Sequence, residues 1–233
     1  GDHIDMYDHL QRKLNNITSI ILDLRGHGAS EGKRFHAMSF DEYCQDINLV
    51  IKFLTEKYGN VKFSLIGHSQ GGLAIHYFML KESAASRVNG ISLISPYYDL
   101  YDAIKPNAFV LAAAKLASFV KADLQLDNPG GSMDDLSNDP YWIDTLNKDP
   151  VYSNGKYTPG WFFASRAAQK YISGSSILLS VPVQILAAEK EVLANNDASR
   201  KIYEAIKNKN AKNEFFVIEG KHKLIWSSGA NIA

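Results

Sequence analysis

The chain has 233 residues, of which 45% are hydrophobic and 21% charged, and its formal net charge is zero. This composition is typical of a globular protein with a substantial core, and the balanced charge argues against nucleic acid as a partner. The single cysteine, Cys44, excludes an intrachain disulfide, and no run approaches the roughly 18 apolar residues of a membrane span. Because the first ten residues are polar and acidic, unlike a signal peptide, we expect a cytoplasmic location.

The first third of the chain predicts strands alternating with helices. The stretch TSIILDL (18–24) has the β-branched and aliphatic run of a buried strand and leads into a glycine-rich segment. Ser39 and Glu42 form a capping-box pattern ahead of apolar residues at helical spacing, and Gly59 is a typical helix stop. We therefore expect a helix with Ser39 as its N-cap. Two further elements follow: a strand at Val61–Ile66 and a helix at Leu73–Lys81.

The rest of the chain continues the alternation after a long interruption. Further strands are predicted at Asn89–Ser95, Val181–Ala187 and Phe215–Ile218, with a helix near Ala198–Lys207. This order indicates an α/β fold with a mostly parallel sheet and helices on both faces. Between residues 96 and 180 no strand is evident, and helix-like stretches (109–120) mix with loop-like ones (NPGGSMDDLSNDP, 128–140). We expect residues 1–95 and 181–233 to form the core and residues 96–180 a mainly helical cap, or lid.

The stretch IGHSQGG (66–72) places a serine between glycines at a predicted junction of strand and helix. Gly67-x-Ser69-x-Gly71 in that context is the nucleophile-elbow pattern, whose sharp turn leaves no room for side chains at the glycine positions. The N–H of Gln70, at the start of the helix, would point at a developing oxyanion. We predict Ser69 as the catalytic nucleophile and Gln70 as part of the oxyanion hole. The alternative is a tight turn with an incidental serine.

A serine hydroxyl needs a base, and elimination among the histidines identifies one. Of the seven histidines, His222 alone follows the interruption, directly after the predicted strand Phe215–Ile218. The order serine, acid, histidine requires the base at that place in the chain. We predict His222 as the base, the alternative being a surface histidine between two lysines.

The acid of the predicted triad should follow the strand Val181–Ala187. The candidates are Glu189, Glu191 and Asp197, and Asp197 has an alternative role as the N-cap of the next helix. We favour Glu191, which falls in the turn before an apolar pair, and keep Asp197 as the alternative acid.

Several motifs together resemble one family. DLRGHGASEG (23–32) resembles the D-x-R-G-H-G-x-S-x-G loop of the monoacylglycerol lipase and lysophospholipase group of α/β-hydrolases. The elbow GHSQGG, the helix start DEYCQD (41–46) and the turn EKEVL (189–193) are similar to that group too, and the last favours Glu191. The resemblance covers nearly the whole chain and is weakest in residues 96–180. With the triad filled, Arg25 and His27 are expected to fix their loop rather than to react.

The resemblance implies an α/β-hydrolase that cleaves carboxylic esters of mono-acyl lipids, such as a lysolipid or a monoacylglycerol, through an acyl-enzyme. It implies no cofactor and no metal. It also implies that the second oxyanion donor, a His-Gly-x-Gly segment, lies before Gly1, and that a final helix follows outside this sequence.

Two rival functions fit the same motifs: a small-ester esterase or peptidase, and a catalytically silent binding protein on the same scaffold. The apolar stretch 109–120 and the aromatic run WFF (161–163) are expected to pack the cap on the core. Their alternatives are lining an acyl-chain tunnel and peripheral contact with a membrane surface.

Overall fold

A computed structural model describes residues 2–14, 16–127, 132–152, 156–175 and 179–226 of the chain. Its α-helices are α1 (Asp8–Lys13), α2 (Asp41–Tyr58), α3 (Gln70–Lys81), α4 (Ala108–Val120), α5 (Met133–Leu136), α6 (Pro140–Lys148), α7 (Pro159–Gly174) and α8 (Asn196–Ile206). Its strands are β1 (Phe63–His68), β2 (Val88–Ile94), β3 (Leu126–Asp127), β4 (Lys156–Tyr157), β5 (Val183–Lys190) and β6 (Glu214–Lys221). Within this described part, no helix combines the length and the apolar character needed to cross a bilayer.

The main sheet has the strand order β1-β2-β5-β6, and every neighbouring pair is parallel. The predicted parallel α/β architecture is therefore confirmed. Parallel pairing brings the carboxyl ends of all four strands to one edge of the sheet. The residues that directly follow β1, β5 and β6 thus lie near one another, which is the precondition for a site assembled from distant parts of the chain.

The predicted strand at residues 18–24 is wrong. The structure assigns no strand there, and the main sheet among the described residues does not include this segment. Ile20 is 51% exposed and Leu22 is 37% exposed. An aliphatic run reports a preference for burial, but a strand also needs a neighbour that accepts its ladder hydrogen bonds.

The start of α2 differs from the prediction by one residue. The helix begins at Asp41 with Phe40 at the N-cap position, not Ser39. The polar groups nevertheless satisfy the helix start: Ser39 Oγ accepts from the Asp41 N–H, and Glu42 Oε1 accepts from the Ser39 N–H at 3.1 Å. The predicted stop is confirmed, because Gly59 is the C-cap with φ of 77°.

Residues 96–180 contain helices α4 to α7, in line with a mainly helical segment. They also contain a short antiparallel pair, β3 with β4, where no strand was expected. The first residues of the predicted loop NPGGSMDDLSNDP, at 128–131, lie outside the described residues, and the remainder includes α5.

Two apolar clusters support the sheet. The larger one joins α2, α3, α7 and α8 to the strands, with fully buried side chains such as Phe78, Leu93 and Ile172. The smaller one lies near the carboxyl ends of β2 and β5 and contains Met6 and Trp226. The smaller cluster therefore lies at the edge of the sheet where the candidate residues follow the strands.

Candidate active site

Ser69 lies between β1 and α3 with a backbone φ of 51° and ψ of −115°. A positive φ is strained for a residue with a side chain, and such strain is typical of functional turns. A Cβ on Gly67 would come within 2.6 Å of the Gly71 carbonyl carbon, so the turn requires glycine there. The expectation that Gly71 also has no room for a side chain is wrong, since a Cβ there would meet nothing within 4 Å.

His222 follows β6 directly, and its imidazole reaches the serine. His222 Nε2 lies 3.0 Å from Ser69 Oγ, and His222 is 3% exposed. A surface position between two lysines is therefore wrong. Since the hydroxyl can donate to the ring nitrogen, the pair has the geometry of a nucleophile beside a base.

Glu191 lies at the turn after β5 and faces the other side of the same imidazole. Its Oε2 is 2.8 Å and its Oε1 2.9 Å from His222 Nδ1. Oε1 also accepts the N–H groups of the next three residues, Val192, Leu193 and Ala194. Burial raises the pKa of Glu191, but the nearby His222 and these N–H groups outweigh it and bring the pKa below its ordinary value. The ionised carboxylate therefore fixes the proton on Nδ1.

The other candidate acids lie apart from the imidazole. Glu189 is exposed at the end of β5, and Asp197 is exposed in the first turn of α8. The alternative role for Asp197 as an N-cap is also wrong: Asn195 caps α8, accepting from the Ala198 N–H at 2.9 Å. Of the three acids, the structure brings Glu191 to the histidine.

Gln70 is the first residue of α3. Its N–H is among those at a helix start that have no acceptor within the helix. The main-chain N–H thus adjoins Ser69 at the positive end of a helix dipole.

Arg25 and His27 bind the structure around them, as expected for residues that fix a loop. The Arg25 guanidinium donates to Asp46 at 2.7 Å and to Glu42 at 3.2 Å, which ties the loop to α2. His27 donates from Nδ1 to the Arg25 carbonyl at 3.0 Å. Burial lowers the pKa of His27 to about 4, so its ring is neutral at neutral pH.

Sequence reasoning missed a buried polar cluster behind His222. His68, the residue before Ser69, lies between Asp2 and the His222 backbone, and Lys223 pairs with Asp2 at 2.7 Å. Lys223 is only 3% exposed. No motif signals this cluster, because Asp2 and Lys223 are 221 positions apart.

The apolar stretches between residues 96 and 180 divide into two cases. Trp161 packs as expected: it is 5% exposed and stacks between Tyr97 and Tyr157. Helix α4 does not pack on the core as expected, because none of its residues is buried. Phe109 is 83% and Phe119 77% exposed, so packing on the core is the wrong interpretation for this helix.

A parallel sheet with helices, a strained serine after β1, and an acid and a histidine after later strands define the α/β-hydrolase fold. The chain belongs to the family described as serine aminopeptidase, S33 (Hydrolase_4), whose model matches residues 1–226.

Individual relatives confirm the resemblance to monoacylglycerol lipases. The chain is 31% identical over 153 residues to a monoglyceride lipase of Mus musculus, covering 65% of this chain and 49% of the relative. It is 28% identical over 193 residues to phospholipase YtpA of Bacillus subtilis (strain 168), covering 81% and 70%. The chain thus spans about half the length of the mouse relative.

A solved structure supports the fold. The chain resembles the monoacylglycerol lipase of Paleococcus ferrophilus with a TM-score of 0.82 and 23% identity. The match covers 98% of this chain and 84% of that one. The overall arrangement of helices and strands is therefore that of an α/β-hydrolase.

Proposed function

We propose that the protein is a serine hydrolase that cleaves the ester of a mono-acyl lipid, as a monoacylglycerol lipase or lysophospholipase does. The observation that carries the proposal is the continuous line from Ser69 Oγ through His222 to Glu191, with steps of 3.0 and 2.8 Å. The names of the mouse and Bacillus relatives support this substrate class.

In the proposed reaction, His222 Nε2 takes the proton of Ser69 as the oxygen attacks the ester carbonyl. The new C–O bond gives a tetrahedral intermediate, and its collapse breaks the ester bond while Nε2 returns the proton to the leaving alcohol. Water then attacks the acyl-enzyme with His222 again as base, and the fatty acid leaves. Glu191 holds the ring and stabilises the imidazolium at both stages.

The Gln70 N–H is the proposed donor to the oxyanion. It follows the nucleophile directly and lies at the N-terminus of a helix of 12 residues. Such donors are worth roughly a hundred- to a thousandfold in turnover each.

We also propose that residues 96–180 act as a cap over a core formed by 1–95 and 181–233. The N-cap residue of helix α7 joins the two parts, since Thr158 Oγ1 donates to the Phe35 carbonyl at 3.0 Å. Helix α4, exposed and apolar, is the proposed contact with a lipid surface.

Labelling with a fluorophosphonate tests the catalytic role. We expect one adduct, at Ser69, in the wild type and none in Ser69→Ala. Ser64→Ala is the matched control, since its exposed hydroxyl lies on β1, the strand that directly precedes Ser69. The absence of an adduct in the wild type, or an equal adduct in Ser69→Ala, contradicts the proposal.

A substrate series separates the proposed function from its rivals. A long-chain optimum with p-nitrophenyl esters supports the lipase, and a short-chain optimum supports the esterase. The family description keeps a peptidase as a second candidate, which faster turnover of aminoacyl p-nitroanilides would support. No turnover of any of them supports the silent binding protein.

A further inference from the structure

His68 occupies a buried position beside the nucleophile and the base. It directly precedes Ser69, and its side chain is 2% exposed. Its ring centroid lies 5.0 Å from that of His222 and 5.3 Å from that of Trp226. The side chain therefore contacts the back of the imidazole that the proposed reaction uses.

Both ring nitrogens of His68 face oxygen atoms. Nε2 lies 3.0 Å from the main-chain carbonyl oxygen of His222, and Nδ1 lies 3.2 Å from Asp2 Oδ2. A carbonyl oxygen has no proton to give, so Nε2 must be the donor in the first contact. Asp2 is in turn held by Lys223, which donates to Oδ1 at 2.7 Å. His68 thus donates from Nε2 to the His222 backbone, and its Nδ1 adjoins the carboxylate that Lys223 holds.

The contact bears on the base because it fixes the peptide unit that carries the imidazole. His222 is the first residue after β6, where the strand ladder no longer holds the chain. The Ser69 hydroxyl and the ring must stay within hydrogen-bond distance, and a displacement of about 1 Å can cost about a hundredfold in rate. His68 directly precedes Ser69 in the turn, so its hydrogen bond to the His222 carbonyl links the positions of the hydroxyl and the ring.

We propose that His68 is a positioning residue for the base, acting through the hydrogen bond from its Nε2 to the His222 carbonyl. This inference rests on the proposed function of Ser69 and His222. The competing explanation is that His68 only fills space against Trp226.

Two substitutions of similar size separate these explanations. The side-chain nitrogen of Gln can take the position of Nε2, whereas that of Asn takes the position of Nδ1. His68→Gln therefore keeps the donor to the His222 carbonyl, and His68→Asn keeps only the contact with Asp2. If His68→Asn does not fold, His68→Met replaces it, since Met fills the volume without an N–H.

The rate of fluorophosphonate labelling and the kcat and KM of p-nitrophenyl ester hydrolysis are measured for each variant. We expect His68→Asn to lower the labelling rate and kcat about 10- to 100-fold with KM nearly unchanged. We expect His68→Gln to stay within about threefold of the wild type. Thermal unfolding checks that both variants are folded.

The two proposals fail in different ways. A wild type that does not react with the fluorophosphonate overturns the triad and, with it, the role of His68. A reactive wild type with folded variants that all label at its rate overturns the positioning role alone. So does a folded His68→Gln that is as slow as His68→Asn.

Discussion

At the scale of single residues, Glu191 combines two tasks. Its Oε1 accepts three main-chain N–H groups as well as the His222 proton, so the carboxylate is fixed by its own turn. The orientation of the imidazole therefore depends on a group that is itself rigid.

Replacing Glu191 tests that dependence. Glu191→Gln keeps the size but can present an N–H to His222 Nδ1, which favours the wrong tautomer. We expect kcat to fall about 10³- to 10⁴-fold in ester hydrolysis. Glu189→Gln, an exposed neighbour, should leave kcat unchanged. Equal activity of both variants would contradict the assignment of Glu191.

The lowered pKa of Glu191 predicts a pH dependence of stability. A carboxyl whose pKa is lower in the folded than in the unfolded state adds stability above the unfolded value of about 4.5, and this contribution disappears as the pH falls through the folded value. The free energy of unfolding, measured in urea from neutral to acidic pH, should therefore fall more steeply for the wild type than for Glu191→Gln. Parallel curves for the two proteins would count against it.

At the scale of elements, α4 stands apart from the other long helices because it has no buried residue. Its exposed apolar side chains include Phe109, Leu116, Phe119 and Val120. A helix with this much apolar surface is suited to contact with lipid, whereas isolated exposed apolar residues need no explanation.

Vesicle flotation tests the role of α4. We expect the wild type to float with phosphatidylcholine vesicles and the double variant Phe109→Ser, Phe119→Ser to remain largely at the bottom of the gradient. Leu49→Ser is the matched control, because Leu49 is an apolar side chain that is 69% exposed on α2 and not on α4. Equal flotation of the double variant and the wild type would exclude α4 as the contact.

The sequence predicted several elements well, and its failures have a common cause. The helix predicted at Leu73–Lys81 is α3 with one more turn at its start, and the strand predicted at Phe215–Ile218 is the centre of β6. The strand at residues 18–24 failed because strand formation depends on a neighbour. Helix α4 was placed correctly but not its exposure, since an apolar helix does not specify what covers it.

The candidate site follows the same rule. Ser69 stands in a local motif, and His222 follows from the order of elements along the chain. That order left three candidate acids, among which the resemblance of the turn EKEVL favoured Glu191. The contacts among Asp2, His68 and Lys223 depend on how distant segments meet in space. No periodicity or short motif in the sequence predicts a contact between segments so far apart in the chain.

At the scale of the whole molecule, residues 2–9 are joined to residues 222–226. Trp226 is completely buried, and its Nε1 donates to the Met6 carbonyl at 3.0 Å. His9 Nε2 donates to the Ile225 carbonyl at the same distance. The two segments thus close the smaller apolar cluster beside the candidate site.

Replacing Trp226 tests how much the contact between these two segments contributes to the free energy of unfolding. Trp226→Ala should lower the free energy of unfolding by about 3–5 kcal/mol, because it leaves a cavity and an unpaired carbonyl. Tyr141→Ala should change it by no more than about 0.5 kcal/mol, since Tyr141 is 69% exposed. Urea denaturation of the three proteins gives the comparison, and similar losses for both variants would contradict it.

The 153 positions that separate Ser69 from His222 have a consequence during synthesis. At roughly 5–20 residues per second, about 8 to 30 s pass between translation of the serine and translation of the histidine. Throughout that interval the nascent polypeptide lacks the imidazole that we propose as the base of Ser69. The proposed hydrolysis therefore cannot begin before His222, the residue after β6, has been translated.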